Sequence, residues 1–177
     1  MRRLVMSLPA AALPFVAASC LSVIDVVQPL EVRPGSEFEV VLVVRADADS
    51  SGQAKGPAFG ILAVSLPEGA GAKKANFDGA AKGKLKRLDD VDAGPLGHRA
   101  GYKWAFFRTR ESYEMSAFVA RTFDVKLKVK APKAPGDYRL AFAAGVAPAT
   151  AGAPDLARLE WEGQGAETVV TRWVTVK

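Results

Sequence analysis

Thr122-Phe123-Asp124-Val125-Lys126-Leu127-Lys128-Val129-Lys130 decides the fold. In an extended chain Phe123, Val125, Leu127 and Val129 point one way, and Thr122, Asp124, Lys126, Lys128 and Lys130 point the other. Such period-two alternation marks a strand with one face on a core and the other in water. The turn Pro132-Lys133-Ala134-Pro135-Gly136 then reverses the chain. Asp137 to Phe142 returns with Tyr138, Leu140 and Phe142 on one face.

The same grammar runs through much of the chain. Glu37–Arg45 is rich in β-branched residues and follows Arg33-Pro34-Gly35-Ser36. Proline second and glycine third supply the fixed and the positive φ of a type II turn. Phe59–Leu66 is another strand, closed by Pro67-Glu68-Gly69. Ser22–Gln28, Tyr102–Arg108, Ala157–Glu162 and Thr168–Val176 complete the set. About eight strands with Pro or Gly near most boundaries predict an all-β, antiparallel sandwich. Residues 67–100 break the pattern as an irregular basic insertion. Short strands or a helical turn are expected at Lys73–Asp78 and Lys84–Leu88, and a helical turn within Thr109–Ala117.

Two stretches carry a family likeness. Leu30-Glu31-Val32-Arg33-Pro34-Gly35-Ser36-Glu37-Phe38-Glu39-Val40 resembles the first two strands of bacterial Ig-like and cohesin-like domains. Lys130-Ala131-Pro132-Lys133-Ala134-Pro135-Gly136-Asp137-Tyr138-Arg139-Leu140 is similar to their late hairpin. The resemblance implies an Ig-like sandwich in which Tyr138 is a corner residue whose hydroxyl bonds to upstream backbone. It also implies a spacer, adhesion module or accessory binding domain.

The amino terminus predicts where the domain works. Arg2 and Arg3 precede an apolar run from Leu4 to about Ala18, and Ala17-Ala18-Ser19 leads into Cys20, the only cysteine. A charged start, an apolar stretch and small residues form a secretory signal. Pro9 and Pro14 interrupt the run, which falls short of the roughly 20 apolar residues of a transmembrane helix. With Cys20 at its end it resembles a bacterial lipoprotein signal, although Ala17 stands where the usual Leu would be. The resemblance implies acylation of Cys20, palmitate included, and attachment to the membrane by several chains. A removed signal without lipid is the rival. Leu21 in place of the Asp that retains many such proteins favours the outer membrane or cell surface over the inner membrane. The organisation expected is residues 1–19 as signal peptide and 20–177 as one β-sandwich domain, a length able to bury a core.

Composition narrows the function. The net charge of +5 falls to +3 once Arg2 and Arg3 are removed. This is weak for a nucleic-acid binder, and none is expected as a partner. Cysteine and histidine numbers exclude a metal site built on several such ligands. Asp47-Ala48-Asp49-Ser50-Ser51-Gly52 matches half of a calcium loop, but Ala58 occupies the position of the bidentate Glu. A small polar loop accounts for it as well, and no cofactor is expected. His98 lies in a loop, and no Gly-x-Ser-x-Gly elbow exists. Glu160 and Glu162 fall on one side of an expected strand, whereas glycoside hydrolysis needs two carboxylates facing across a cleft. A non-enzyme is expected, with a small hydrolase as the minor alternative.

Two groups remain for ligand binding. Lys73, Lys74, Lys84, Lys86 and Arg87, with Lys82, form the densest basic run, suited to a membrane surface or an acidic glycan. Asp89, Asp90 and Asp92 also suit a neutralised, solvated loop. Tyr102, Trp104 and Phe106 share one face and read as core. Trp161 and Trp173, beside Glu and Arg, are the better candidates for an exposed sugar platform. The sequence thus predicts a lipid-anchored envelope module that interacts without catalysis, its partner an envelope protein or a glycan. A carbohydrate-binding accessory module is the alternative.

Overall fold

The computed structural model describes residues 21–46, 56–78, 83–89, 91, 93–114, 121–161 and 169–177. Its strands are β1 (Leu21–Val27), β2 (Glu31–Val32), β3 (Glu37–Ala46), β4 (Pro57–Pro67), β5 (Gly71–Asp78), β6 (Gly83–Lys84) and β7 (Lys86–Leu88). They continue as β8 (Tyr102–Arg108), β9 (Tyr113–Glu114), β10 (Thr122–Lys130), β11 (Gly136–Thr150), β12 (Ala153–Pro154), β13 (Glu160–Trp161) and β14 (Val170–Val176). Eight of these have seven residues or more.

Two sheets form the sandwich. The smaller runs β1-β3-β10-β5-β6. The larger runs β2-β14-β11-β4-β8-β7, with β9 beside β4 and β12 and β13 beside β11. Pairing is antiparallel except for the short β2–β14 pair, which is parallel. The fold is thus the expected all-β sandwich. Between the sheets Leu42, Val44, Val125, Leu127 and Val129 face Leu62, Val64, Phe107, Leu140, Phe142 and Val174, all buried. β10 buries its four apolar residues and exposes Thr122, Asp124, Lys126 and Lys128, so its alternation sets its orientation.

The corners follow the turn chemistry. Gly35 adopts φ +69°, and the Ser36 amide donates to the Arg33 carbonyl at 3.1 Å. The Tyr138 hydroxyl donates to the Ala134 carbonyl at 2.9 Å, the backbone bond that the family likeness implies.

Of the two alternatives expected within residues 67–100, short strands are the ones present. Among them β5 pairs with β10 along most of its length, so the stretch supplies part of the smaller sheet. Both Lys73–Asp78 and Lys84–Leu88 are extended, and a single 3-10 turn spans Gly94–Leu96. Ala157–Glu162 is not one strand: a 3-10 turn at Leu156–Arg158 precedes the two residues of β13. In Thr109–Ala117 the described part, 109–114, holds β9, and the rest of the stretch on which a helical turn is expected lies outside the described residues.

The larger sheet is also covered on its outer face. Phe59, Ile61, Ala63, Phe106, Ala143 and Ala147 are buried there beneath Leu88, Leu96, Leu159 and Trp161. β4 is therefore apolar on both sides, which is why Phe59–Leu66 reads as a nearly continuous apolar run. This second layer stops short of the end of the sheet near Pro67, and the gap it leaves is a cleft.

Candidate functional site

The cleft encloses about 190 Å³ and lies on the outer face of the larger sheet. Its floor is one row of the ladder: Trp104 opposite Ser65, Ser65 opposite Ala141, and Ala141 opposite Thr171. Small side chains on the two central strands leave the depression. Larger residues at the same level would fill it, as Phe106 does one row further along.

The walls are aromatic and cationic. Trp104 is half-buried, its indole Nε1–H donating to the Gly97 carbonyl at 2.9 Å, which fixes the ring. Its other neighbour is Phe106, with ring centroids 6.4 Å apart. The Tyr102 hydroxyl accepts the Arg139 backbone N–H at 3.2 Å, holding the phenol across the end of β4. The Arg99 guanidinium carbon sits 4.4 Å from the centre of the Tyr102 ring, a cation–π contact. The Arg139 guanidinium donates to Thr171 Oγ1 at 3.4 Å. His98, exposed, and Leu96 close the rim from the 3-10 turn and the loop after it. Among the described residues neither Arg99 nor Arg139 has a carboxylate partner, and no acidic residue lines the cleft. The described lining of the cleft is therefore positive, with two aromatic walls.

A second cleft adjoins the first through Trp104, which lines both. The Leu66–Ala72 turn, Arg87 and Lys103 form it. Glu68 is its one acidic residue. Elsewhere, Tyr113 ionises above the ordinary value of 10.0, raised first by burial and then by the Glu111 carboxylate.

The residues picked out from sequence fall in several places. Trp173 is 57% exposed on β14, paired with Arg139 at the mouth of the cleft. Trp161 does not stand free. It is half-buried against Phe106, centroids 6.1 Å apart, and belongs to the covering layer. The basic run divides between sheets. Lys74 and Lys84 are exposed on β5 and β6 of the smaller sheet, and Lys86 and Arg87 are on β7 of the larger. Arg87 reaches Asp89 at 3.9 Å and the Ala72 carbonyl at 3.5 Å. Glu160 is exposed on β13. The side chain of Lys73, together with Cys20, Asp47, Asp49, Lys82, Asp90, Asp92 and Glu162, lies outside the described residues.

Ser65 and His98 line one cleft, yet among the described residues no hydrogen bond joins them and no carboxylate lines the cleft to orient the imidazole. Among the described residues no group of three His, Cys, Asp or Glu could hold a metal ion, and no helix is long and apolar enough to cross a membrane.

Sequence reasoning missed Arg99, Arg139, Tyr102 and Trp104 as a set. A signal existed: Ala63 and Ser65 alternate with Leu62, Val64 and Leu66, and Ala141 and Ala143 alternate with Leu140 and Phe142. Large residues inside and small ones outside mark a face that another layer, or a ligand, approaches closely.

No protein-family model matches the sequence, and no curated protein does. Among solved structures the chain is similar to the full-length major pilin SpaD from Corynebacterium diphtheriae, with 9% identity and a TM-score of 0.44. That overlap covers 89% of this chain and 33% of the pilin, so the chain spans about a third of the pilin's length. It is also similar to the collagen-binding domain of a Staphylococcus aureus adhesin, with 8% identity, a TM-score of 0.40 and 85% and 95% of the two chains covered. A third similarity is to the C-terminal domain of the Streptococcus pyogenes antigen I/II-family protein AspA. There the identity is 11%, the TM-score 0.35, and 91% of this chain and 53% of that one are covered.

Proposed function

We propose that this protein is a lipid-anchored, non-catalytic interaction module of a bacterial cell envelope, and that its recognition surface is the cleft between Trp104, Tyr102, Arg99 and Arg139. The cleft carries the reading. It joins two guanidinium groups that have no carboxylate partner among the described residues to aromatic rings whose orientation is already fixed, so little conformational entropy is lost on binding. Exposed arginines add little to folding even where they are ion-paired, and neither of these has a carboxylate partner among the described residues, which leaves their charge for a ligand.

The path of the chain agrees with a tether at Cys20. Leu21 follows it directly, is buried in β1 and lies beside Gly60 of β4. Ser65, on the cleft floor, is five residues further along β4 from Gly60, roughly 17 Å at strand rise. An anchor at Cys20 therefore holds one end of the sandwich at the membrane and turns the cleft outward.

A carbohydrate-binding module is the second reading. Trp173 favours it, exposed at the mouth of the cleft.

Retention on isolated cell envelopes tests the proposal. The full chain carrying Cys20→Ser removes the tether and leaves only what the domain itself binds. It is expected to sediment with the envelopes, and Arg99→Gln with Arg139→Gln is expected to reduce the retained fraction at least fivefold. Equal retention of both proteins contradicts the assignment of the cleft.

A further inference from the structure

We infer that the cleft binds a carboxylate-bearing sugar residue within an acidic polysaccharide, such as a uronic acid polymer. This rests on the reading of the cleft as the recognition surface and adds the class of ligand. Three observations converge on it.

The first is charge. Arg99 and Arg139 stand on the rim with His98, and no acidic residue among those described lines the same space. A guanidinium matches a carboxylate with two parallel N–H donors, and such charge-assisted bonds are about twice as strong as neutral ones. Arg139 spends one donor on Thr171, and Arg99 rests on the Tyr102 ring, so both heads are positioned with donors left over.

The second is shape and surface. The cleft floor is Ser65, Ala141 and Thr171, a shallow mix of methyl groups and hydroxyls, and the walls are an indole and a phenol. An apolar wall with hydroxyl partners beneath suits a ring that is apolar on its C–H face and polar at its edge, which describes a sugar. About 190 Å³ is less than the roughly 300–1,000 Å³ of pockets that engulf a whole small ligand. One ring of a longer chain is the occupant that fits.

The third is continuation. Trp104 also lines the adjoining cleft, where Arg87 and Lys103 stand. Trp173, on the other side, faces outward beside Arg139. Cations and rings thus run across the outer face of this end of the sheet in the order Trp173, Arg139, then Tyr102 with Arg99, and Trp104 one row further in, while Lys103 and Arg87 lie round the edge of β8 on the side facing the smaller sheet. A polymer with a carboxylate on each ring can meet successive members of that row. A lone phosphate meets one.

Isothermal titration of the full Cys20→Ser chain with polygalacturonate, at fixed ionic strength, tests the inference. Binding is expected, with no binding to neutral dextran and at least tenfold weakening in Arg99→Gln/Arg139→Gln. Trp104→Phe keeps a ring and is expected to weaken binding severalfold. Urea midpoints confirm that each variant folds. Lys126→Gln/Lys128→Gln, on the exposed face of the smaller sheet, removes the same charge and is expected to leave binding within twofold.

Absence of polygalacturonate binding overturns the inference. Equal weakening by the two double variants also overturns it, since attraction is then non-specific. So does displacement by inorganic phosphate at the same ionic strength, or tighter binding of dextran sulfate, either of which makes the site a general anion site. If polygalacturonate fails while Arg99→Gln/Arg139→Gln still lowers envelope retention, the ligand class is wrong and the cleft remains the surface. If both fail, the reading of the cleft falls with it.

Discussion

Gly145 is a residue whose smallness the structure requires. It lies on β11 where β13 crosses, pairing with Trp161. A Cβ built there sits 2.5 Å from the Glu160 carbonyl oxygen and 2.8 Å from Trp161 Cε3. Backbone cannot yield as a side chain can, so Gly145→Ala is expected to push β13 off the sheet at a cost of about 1–3 kcal/mol. Urea denaturation would read the loss, and acrylamide quenching would rise as Trp161 lifts away from Phe106. Wild-type stability and quenching would mean that Trp161 does not hold the covering layer. The same residue shows why the aromatic candidates sorted as they did. Neighbouring charges in the sequence placed Trp161 and Trp173 together, but only Trp173 is exposed. Trp161 is flanked by Glu160 yet turns its ring onto Phe106, because Gly145 leaves room beneath it. Tyr102 and Trp104 were legible as sharing a face. Which face, the inter-sheet core or the outer layer, depends on the partners of β8, and a single strand's pattern carries no such information.

At the scale of the element, strands that are wet on one side announce themselves. β10 is fully specified by its alternation because every other residue meets water. Leu127→Ala is therefore expected to cost about 2–5 kcal/mol by opening a cavity between the sheets, whereas Lys128→Ala is expected to stay within about 0.5 kcal/mol. Urea midpoints of the two variants check this, and similar losses in both would contradict the assigned orientation. β4 and β11 were legible as strands but not as strands buried on both sides, since an apolar run fits either case. β5 was obscured by its lysines. Among its described side chains the buried ones, Ala72 and Ala75, offer only methyl groups, and Lys74 on the exposed face weakens the apolar signal further. Ala157–Glu162 failed in the opposite way. Alternating Leu159 and Trp161 imitate a strand, but Leu156–Arg158 close a 3-10 turn and, among the described residues, Glu160 and Trp161 alone of the stretch pair with β11.

At the scale of the whole molecule, the two ends of the sandwich differ. Leu21, Ala46 and Pro57 lie toward one end, where the chain emerges from residue 20. Pro67, Tyr102, Arg139 and Trp173 lie toward the other, with the cleft. The class of fold could be read from sequence because strand alternation and turn chemistry are local patterns. The cleft could not, because it is made by five separate segments that meet only when β8, β4, β11 and β14 register side by side. A domain tethered at its Leu21 end and binding at its far end, as we propose, would reach outward from a membrane. That arrangement depends on Cys20. Metabolic labelling with radioactive palmitate, comparing the wild-type chain with Cys20→Ser, measures it directly. Label on the wild type and none on the variant is the predicted result. No label on either, with a mature chain beginning at or near residue 20, would contradict the anchor and leave a protein that binds its ligand free of the membrane.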